Sequence, residues 1–379
     1  MYDKEKLIRS RLQDDLSRSL FEVRLRYAET QDYDAFTEAL HPLVRDGYFV
    51  NYEMQDILVR NGTREVVLYG AGKTGRRNRA ILSLAGMDVL AFVEDNPSGR
   101  ESRFEGLPVV GPEALERDPF RRAVIVICCP SRAISVREKL LGSGISGQRI
   151  WVPSSSRGLV SINKPMQYFD VFAPSGEETF VDAGAYDGQS LLDFRTWTGG
   201  QYRKVFALEP LEEMEAVIRR RTEGMHGVEI LPYAAWNREE TLSFQVDGDS
   251  SAVTEEGGIP VCADRLDHLV REPVTFLKMD IEGSELPALE GARGLILRDR
   301  PRLAVCLYHK RWDILDIPAW ILSLVPEYRF WIRHYSGTDL ETVLFASVRE
   351  EPVGMGVQKW RLPRAARLYQ MMKAKRKTS

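Results

Sequence analysis

The segment Glu178–Ser190, ETFVDAGAYDGQS, restricts this chain to a narrow set of folds. Thr179–Val181 is β-branched and aromatic, which predicts the end of a buried strand. Asp182 follows where that strand should stop. Gly184 and Gly188 come next, four residues apart, and then the apolar-periodic SLLDFRTW of a helix. A strand, a glycine turn and a helix in this order are how an open, doubly wound α/β sheet builds a ligand crevice at the carboxyl ends of its strands. Glycine lets the backbone approach a ligand where a Cβ would collide. The pyrophosphate-binding pattern G-x-G-x-x-G is not met, because Ala185 and Tyr186 stand where its second glycine belongs. A looser glycine turn beside the fixed charge of Asp182 suits a cationic ligand that carries no pyrophosphate.

S-adenosylmethionine, with its sulfonium and amino group, is such a ligand. KVFALEP (Lys204–Pro210) predicts the next strand, ending in Glu209, whose carboxylate suits both hydroxyls of a ribose. TFLKMDIEGSELPALEGA (Thr275–Ala292) predicts a strand, an acidic turn and a helix. Together these motifs resemble the FkbM family of S-adenosylmethionine-dependent methyltransferases. The resemblance runs on through LAVCLYHKRWDILDIP (Leu303–Pro318) and ETVLFA (Glu341–Ala346), covering roughly residues 160 to 348 in consistent order. It implies a seven-stranded, mostly parallel sheet of the class I methyltransferase type, with one reversed strand near an edge. It also implies S-adenosylmethionine as cofactor, held by Asp182, Gly184, Ala185, Gly188, Glu209, Asp280 and, at the adenine, Ala235 and Trp236.

At 379 residues the chain exceeds one ordinary core, so the reading is of α/β class with two doubly wound, Rossmann-like domains and a helical N-terminal segment. The boundaries are a helical segment over 1–62, a first α/β domain over 63–153, a linker and lead-in over 154–176, the methyltransferase domain over 177–350 and a basic tail over 351–379. Leu7, Leu12, Leu16, Leu20, Val23 and Tyr27 recur near a helical period, which predicts one amphipathic helix followed by a second over YDAFTEALHPLV. These helices read as a cap on the next domain or a dimer contact, without chemistry. In the linker, WVPSSSRGLVSINKP is marked by serines, glycine and two prolines. VEILPYAAW predicts a third strand of the methyltransferase sheet. TLSFQVDG and GDSSAVTEEGG predict a β-excursion and a loop over the site.

The first α/β domain carries the complete glycine pattern, as Gly70, Gly72 and Gly75 in GAGKTG. Glu94 and Asp95 close the next strand about twenty residues on, where a ribose-binding acid belongs. Lys73, Arg76 and Arg77 add positive charge at a helix N-terminus. FEGLPVVGPEAL resembles the N-terminal domains of sugar-nucleotide-modifying enzymes, bacterial sugar N-acyltransferases among them. A nucleotide or nucleotide-sugar site built from Gly70, Gly72, Lys73, Gly75, Glu94 and Asp95 is one expectation. A scaffold that keeps the turn for packing is the other.

A net charge of -3 gives no basicity that would recruit nucleic acid. No apolar run is long enough to span a bilayer, and the charged MYDKEKLIRSRLQDDL lacks the apolar core of a signal peptide. Cys128, Cys129, Cys262 and Cys306 form no C-x-x-C, so they read as reduced core residues of a cytoplasmic protein. The tail VQKWRLPRAARLYQMMKAKRKTS is basic and amphipathic, which allows weak contact with anionic lipid, although a solvated terminus is the simpler reading. The oligomeric state is not legible.

Methyl transfer from a sulfonium needs a nucleophile near the methyl, and a hydroxyl acceptor must also lose its proton. Asp280 and His309 end adjacent predicted strands, and His309 titrates near neutrality in water. Glu282 and Glu285 flank Asp280, and Glu285 also suits the first turn of a helix. The catalytic candidates are therefore Asp280, His309 and Glu285, and no metal is assigned, although three carboxylates so close could hold a divalent cation. His334 and Glu341 are further candidates for shaping the acceptor pocket. Tyr168 and Phe169 are read as covering the adenine or, more simply, as helix aromatics packed on the sheet. The functional reading is O-methylation of a sugar, glycan or secondary-metabolite hydroxyl. The alternatives are an NAD-type oxidoreductase or a nucleotide-sugar binding protein centred on GAGKTG, and a protein that only senses the methyl donor.

Overall fold

A computed structural model describes residues 2–44, 48–50, 58, 60–84, 86–97, 103–152, 160–162, 167–247, 250–254 and 257–351. They form two compact units: the helices up to Phe36 belong with the C-terminal sheet, and the glycine-rich α/β region after Thr37 stands as the other.

In the glycine-rich unit the strands Glu65–Tyr69, Asp88–Val93, Leu107–Val110, Val124–Ile127 and Ile150–Trp151 lie parallel in the doubly wound order 3-2-1-4-5. Arg103–Phe104 adds an antiparallel edge. Val66, Leu68 and Phe92 pack on one face and Val67, Ala91 and Ile125 on the other, as expected of a parallel sheet covered on both sides. Val160–Ile162, inside the expected linker, pairs antiparallel with Tyr48–Val50, inside the expected helical segment. Residues 154–159 and 163–166 of the expected linker and lead-in, and the basic tail from residue 352 on, lie outside the described residues.

In the other unit seven strands form one sheet: β1 Thr179–Ala183, β2 Lys204–Leu208, β3 Val228–Leu231, β4 Phe276–Met279, β5 Arg302–Cys306, β6 Arg329–His334 and β7 Thr342–Ser347. Their order is β3-β2-β1-β4-β5-β7-β6. All neighbours from β3 to β5 run parallel, while β7 runs antiparallel to both β5 and β6. The reversed strand thus lies one in from the edge, as the resemblance implied. The winding changes direction between β1 and β4, and the carboxyl ends of these two strands form the ligand-binding switch point of such a sheet.

Two expectations change. VEILPYAAW is not one strand: β3 ends at Leu231, where Pro232 brings no N–H to the ladder and the Tyr233 amide turns back to the Leu231 carbonyl. Ala234–Ala235 instead joins Glu240–Asp247, Ser250–Thr254 and Ile259–Asp264 in a separate four-stranded sheet, so Ser250–Thr254 is strand where a loop was expected. The first helix is also broken, into Tyr2–Arg9 and Asp15–Thr30. Asp14 caps the second piece through the Ser17 amide and pairs with Arg333 at 2.7 Å. Between the pieces, the Gln13 amide donates to the Phe330 carbonyl and the Phe330 amide to the Arg11 carbonyl. The N-terminal segment therefore covers the open edge of β6, which would otherwise present unpaired backbone. Among the described residues no helix is long and apolar enough to cross a membrane.

The glycines of GAGKTG differ in their need for glycine. A Cβ on Gly75 would lie 2.1 Å from the Gly70 carbonyl oxygen, whereas one on Gly72 would meet nothing within 4 Å. Thermal unfolding is expected to show Gly75→Ala destabilised by about 1–3 kcal/mol through overpacking, and Gly72→Ala within about 0.5 kcal/mol of wild type. Equal effects at both positions would contradict this packing.

Candidate active site

Gly184 lets the β1 turn touch the end of β4. Its φ is +84°, and a Cβ there would stand 2.0 Å from the Asp280 carbonyl oxygen. The Gly184 and Ala185 amides both donate to the Leu208 carbonyl at the end of β2. Gly188, at φ +79°, opens the helix Gln189–Trp197. Glu209 sits against this turn, accepting the Tyr186 amide at 2.9 Å and the Leu211 amide at 3.0 Å. Burial pushes its carboxyl up to about 7, against the opposing pull of those two amides and of Lys278. Each Glu209 oxygen keeps a lone pair beyond its amide, so the group can still accept two hydroxyls.

Asp182 is fully buried and is not poised as a free charge. Lys278, from the middle of β4, places its ammonium 2.8 Å from Asp182 Oδ1 and donates to the Gly184 carbonyl at 2.8 Å. The Ser190 hydroxyl donates to the other Asp182 oxygen. Burial alone would lower the Lys278 pKa, but the carboxylates of Asp182 and Asp280 outweigh it and raise it above the ordinary value. Lys278 had no assigned role in the sequence reading. Its signal was a lone lysine within the apolar run TFLKM.

Asp280, just past β4, accepts the Tyr168 hydroxyl at 2.7 Å and the Tyr308 hydroxyl at 2.9 Å. Burial pushes its carboxyl up, yet Lys278, His309 and the two phenols prevail and hold it at about 2. His309 lies just past β5, its ring centroid 4.0 Å from that of Tyr308. His309 Nε2 is 3.5 Å from Asp280 and 3.4 Å from Glu282, and Nδ1 is 2.8 Å from Glu285. Burial opposes its charge, but Glu285, Asp280 and Glu282 outweigh burial and raise it to about 9. The ring therefore carries two protons at neutral pH and must release one before it can act as a base. Glu285 is buried and also accepts the Ile281 amide at 2.9 Å.

The structure thus brings Asp182, Gly184, Ala185, Gly188 and Glu209 together on one side of the switch point and Asp280, Glu285 and His309 on the other. Ala235 belongs to the four-stranded sheet, and Trp236 follows it with its amide donating to the Asp264 carbonyl; Leu211, two residues beyond Glu209, packs against the core of that sheet. The Trp236 indole N–H donates to Glu240. Tyr168 bonds Asp280, and Phe169 is buried among Phe180, Phe194, Trp197 and Phe276; both lie in a turn, so the expected helix is absent there. Glu341 accepts the Gln167 amide beside Tyr168. His334 is buried against Thr342 and Phe36, in a packing role. In the other unit, Glu94 accepts the Ala71 amide at 2.7 Å, and Asp95 accepts the Tyr69 hydroxyl and pairs with Lys139 and Arg132. Arg76 pairs with Glu105. The acids expected for a ribose there are thus engaged by the protein itself. Cys128 and Cys306 are buried, whereas Cys262 is exposed, so it is not the core residue expected.

A doubly wound sheet with an acid after β2 and a polar cluster after β4 and β5 defines a methyltransferase-type domain. Residues 182–335 match the family model described as the methyltransferase FkbM domain. Among solved structures, it is similar to the methyltransferase FkbM from Methylobacillus flagellatus KT at 20% identity and TM-score 0.44, over 88% of this chain and 99% of that one. It is similar to a putative methyltransferase from Streptococcus mutans in complex with SAH at 12% identity and TM-score 0.32, over 48% and 94%. Aeropyrum pernix fibrillarin with bound S-adenosyl-L-methionine follows at 10% identity and TM-score 0.31, over 48% and 70%. No curated protein matches the chain.

Removing Lys278 would strand the buried Asp182 charge. Lys278→Met is expected to cost about 3–5 kcal/mol in urea unfolding, and adding Asp182→Asn to recover a large part of that loss. A Lys278→Met midpoint equal to wild type would show that the pair contributes nothing.

Proposed function

We propose that this chain transfers the methyl group of S-adenosylmethionine to a hydroxyl oxygen of a sugar, glycan or secondary metabolite, working in the cytoplasm. The observation that carries this reading is the pairing, across the β1–β4 switch point, of the Glu209-clamped glycine turn with the Asp280–Tyr168–Tyr308–His309 cluster. In this reading Glu209 accepts the ribose hydroxyls, the turn from Gly184 to Gly188 passes the donor's amino acid portion, and Ala235 and Trp236 flank the adenine. Asp182 acts indirectly, by fixing Lys278 and the turn. A carboxylate, two phenols and an imidazole on the acceptor side form a hydrogen-bonding set that suits a hydroxyl. The likeness of FEGLPVVGPEAL to sugar-nucleotide-modifying enzymes favours a sugar among hydroxyl acceptors. The methyl leaves the sulfonium, whose sulfur keeps the C–S electron pair, and bonds to the acceptor oxygen. The hydroxyl proton passes to the Asp280–His309–Glu285 cluster. The nicotinamide alternative has nothing comparable in its favour, because the family match lies at residues 182–335 and not at the GAGKTG turn.

Donor binding should depend on the charge of Glu209. Its carboxyl titrates at about 7 when the site is empty, above the ordinary glutamate value. Any folding stability tied to its proton is present at acid pH and lost as pH rises through about 7. Ribose hydroxyls donate to the ionised form, so calorimetry with SAH should show affinity rising from about pH 6 to about pH 8. Glu209→Gln should remove that rise and weaken binding by about 1–3 kcal/mol. A flat wild-type profile with unaltered Glu209→Gln affinity would exclude this contact.

On the acceptor side, His309→Ala is expected to lower turnover by about 10²–10⁴-fold while SAH affinity barely moves. Asp280→Asn should lower turnover with some loss of donor binding. The measurement is methyl transfer to whichever member of a hydroxyl-acceptor panel the wild type accepts. Near-wild-type turnover in both His309→Ala and His309→Gln removes His309 from the mechanism.

A further inference from the structure

The sequence reading assigned no metal to this chain. We infer that Asp280, Glu285 and His309 form a binding site for a divalent first-row cation of the Mn²⁺ class, next to the acceptor position. One ligand atom from each of the three lies within 4.8 Å of the others. Ligands bonded to one ion at about 2.0–2.2 Å stand at most about 4.4 Å apart, so a shift of a few tenths of an ångström closes these three on a single ion.

An independent observation concerns the same side chains. Glu285 is 1% exposed; its Oε1 takes the Ile281 amide, but its Oε2 is buried without a hydrogen-bond partner among the described residues. Both ring nitrogens of His309 are likewise buried and not aligned in any hydrogen bond, although carboxylate oxygens surround them at 2.8–3.5 Å. A buried carboxylate oxygen left without a donor is costly, and a shared cation satisfies it while displacing one His309 proton and taking the lone pair that this frees. The three ligands come from different elements: Asp280 after β4, His309 after β5, and Glu285 at the start of the helix Glu285–Gly291. Tyr168 and Tyr308 hold the Asp280 carboxylate from outside, as supporting groups around metal ligands do. Two carboxylates and one imidazole suit Mn²⁺ or Zn²⁺ better than a soft ion, which prefers sulfur, or Ca²⁺, which takes more oxygens.

The use of the ion rests on the methyl-transfer reading; its binding does not. A coordinated acceptor hydroxyl is more acidic, so its proton passes more readily to water or a site carboxylate as its oxygen takes the methyl from sulfur.

The test uses the full chain stripped with a chelator. Mn²⁺ is titrated in and followed by loss of the free-ion paramagnetic resonance signal, with SAH calorimetry run separately on the same samples. A single Mn²⁺ site is expected, weakened by more than about tenfold in both Glu285→Gln and His309→Gln, with SAH affinity preserved. Glu285 is buried, so retained SAH binding certifies the fold of that variant, and His309→Gln, at a partly exposed position, carries the comparison if Glu285→Gln does not fold. Wild-type protein that binds SAH but no Mn²⁺ overturns the site. So does Mn²⁺ affinity unchanged in both variants, which would put the ion elsewhere. Mn²⁺ binding sensitive to both variants, in a folded protein that binds no SAH, upholds the cation site and removes the methyl-transfer reading instead.

Discussion

The catalytic end of the sheet depends on one buried ion pair. Lys278 and Asp182 sit on adjacent strands, β4 and β1, at the point where the chain reverses its winding. The same ammonium donates to the Gly184 carbonyl and lies 5.2 Å from the Tyr168 ring centroid. It therefore ties together the donor turn, the acceptor-side tyrosine and the strand that ends in Asp280. Desolvating two charges is expensive, and such pairs are no general source of stability. Here the cost is offset by hydrogen bonds from Ser190 and to Gly184, and what the pair secures is position.

The same cation acts on two carboxyls of the crevice that titrate in opposite directions. Glu209 is burdened by burial, and two backbone amides compensate only in part, so it rises to about 7. Asp280 is half-buried, and Lys278, His309 and two phenols face it, so it falls to about 2. Two carboxylates at the ends of neighbouring parts of one sheet are thereby set for different tasks. One can ionise as a neutral ligand group arrives, and the other is a permanent anion.

Backbone strain gathers around the same crevice. Tyr186, Glu282 and Glu341 are non-glycine residues with φ of 46°, 54° and 66°. Tyr186 presents its amide to Glu209, Glu282 stands beside His309, and Glu341 takes the Gln167 side chain. Conformations that cost about 1–3 kcal/mol each persist where surrounding structure holds them, commonly at functional sites. At the far side of the sheet, the N-terminal segment lends backbone hydrogen bonds to β6 and closes an edge without adding a full strand.

The sequence by itself determined the sheet and its crevice. Continuous apolar runs such as KVFAL and RLAVC can be satisfied only by a strand covered on both faces, and ETFVDAGAYDG places the turn at the end of one. Glu209, Asp280 and His309 were legible because strand ends are marked by the first polar residue after such a run. What those residues do to one another was not legible, because it depends on side chains from remote segments. Tyr168 and Asp280 lie 112 positions apart, and Asp182 and Lys278 meet only through strand pairing. The break at Pro232 and the split of the first helix also needed tertiary partners, the four-stranded sheet and the edge of β6. A local pattern sets which backbone hydrogen bonds a segment can make within itself. Which charge is paired, which carboxyl keeps its proton and which edge is covered depend on neighbours that only the folded chain supplies.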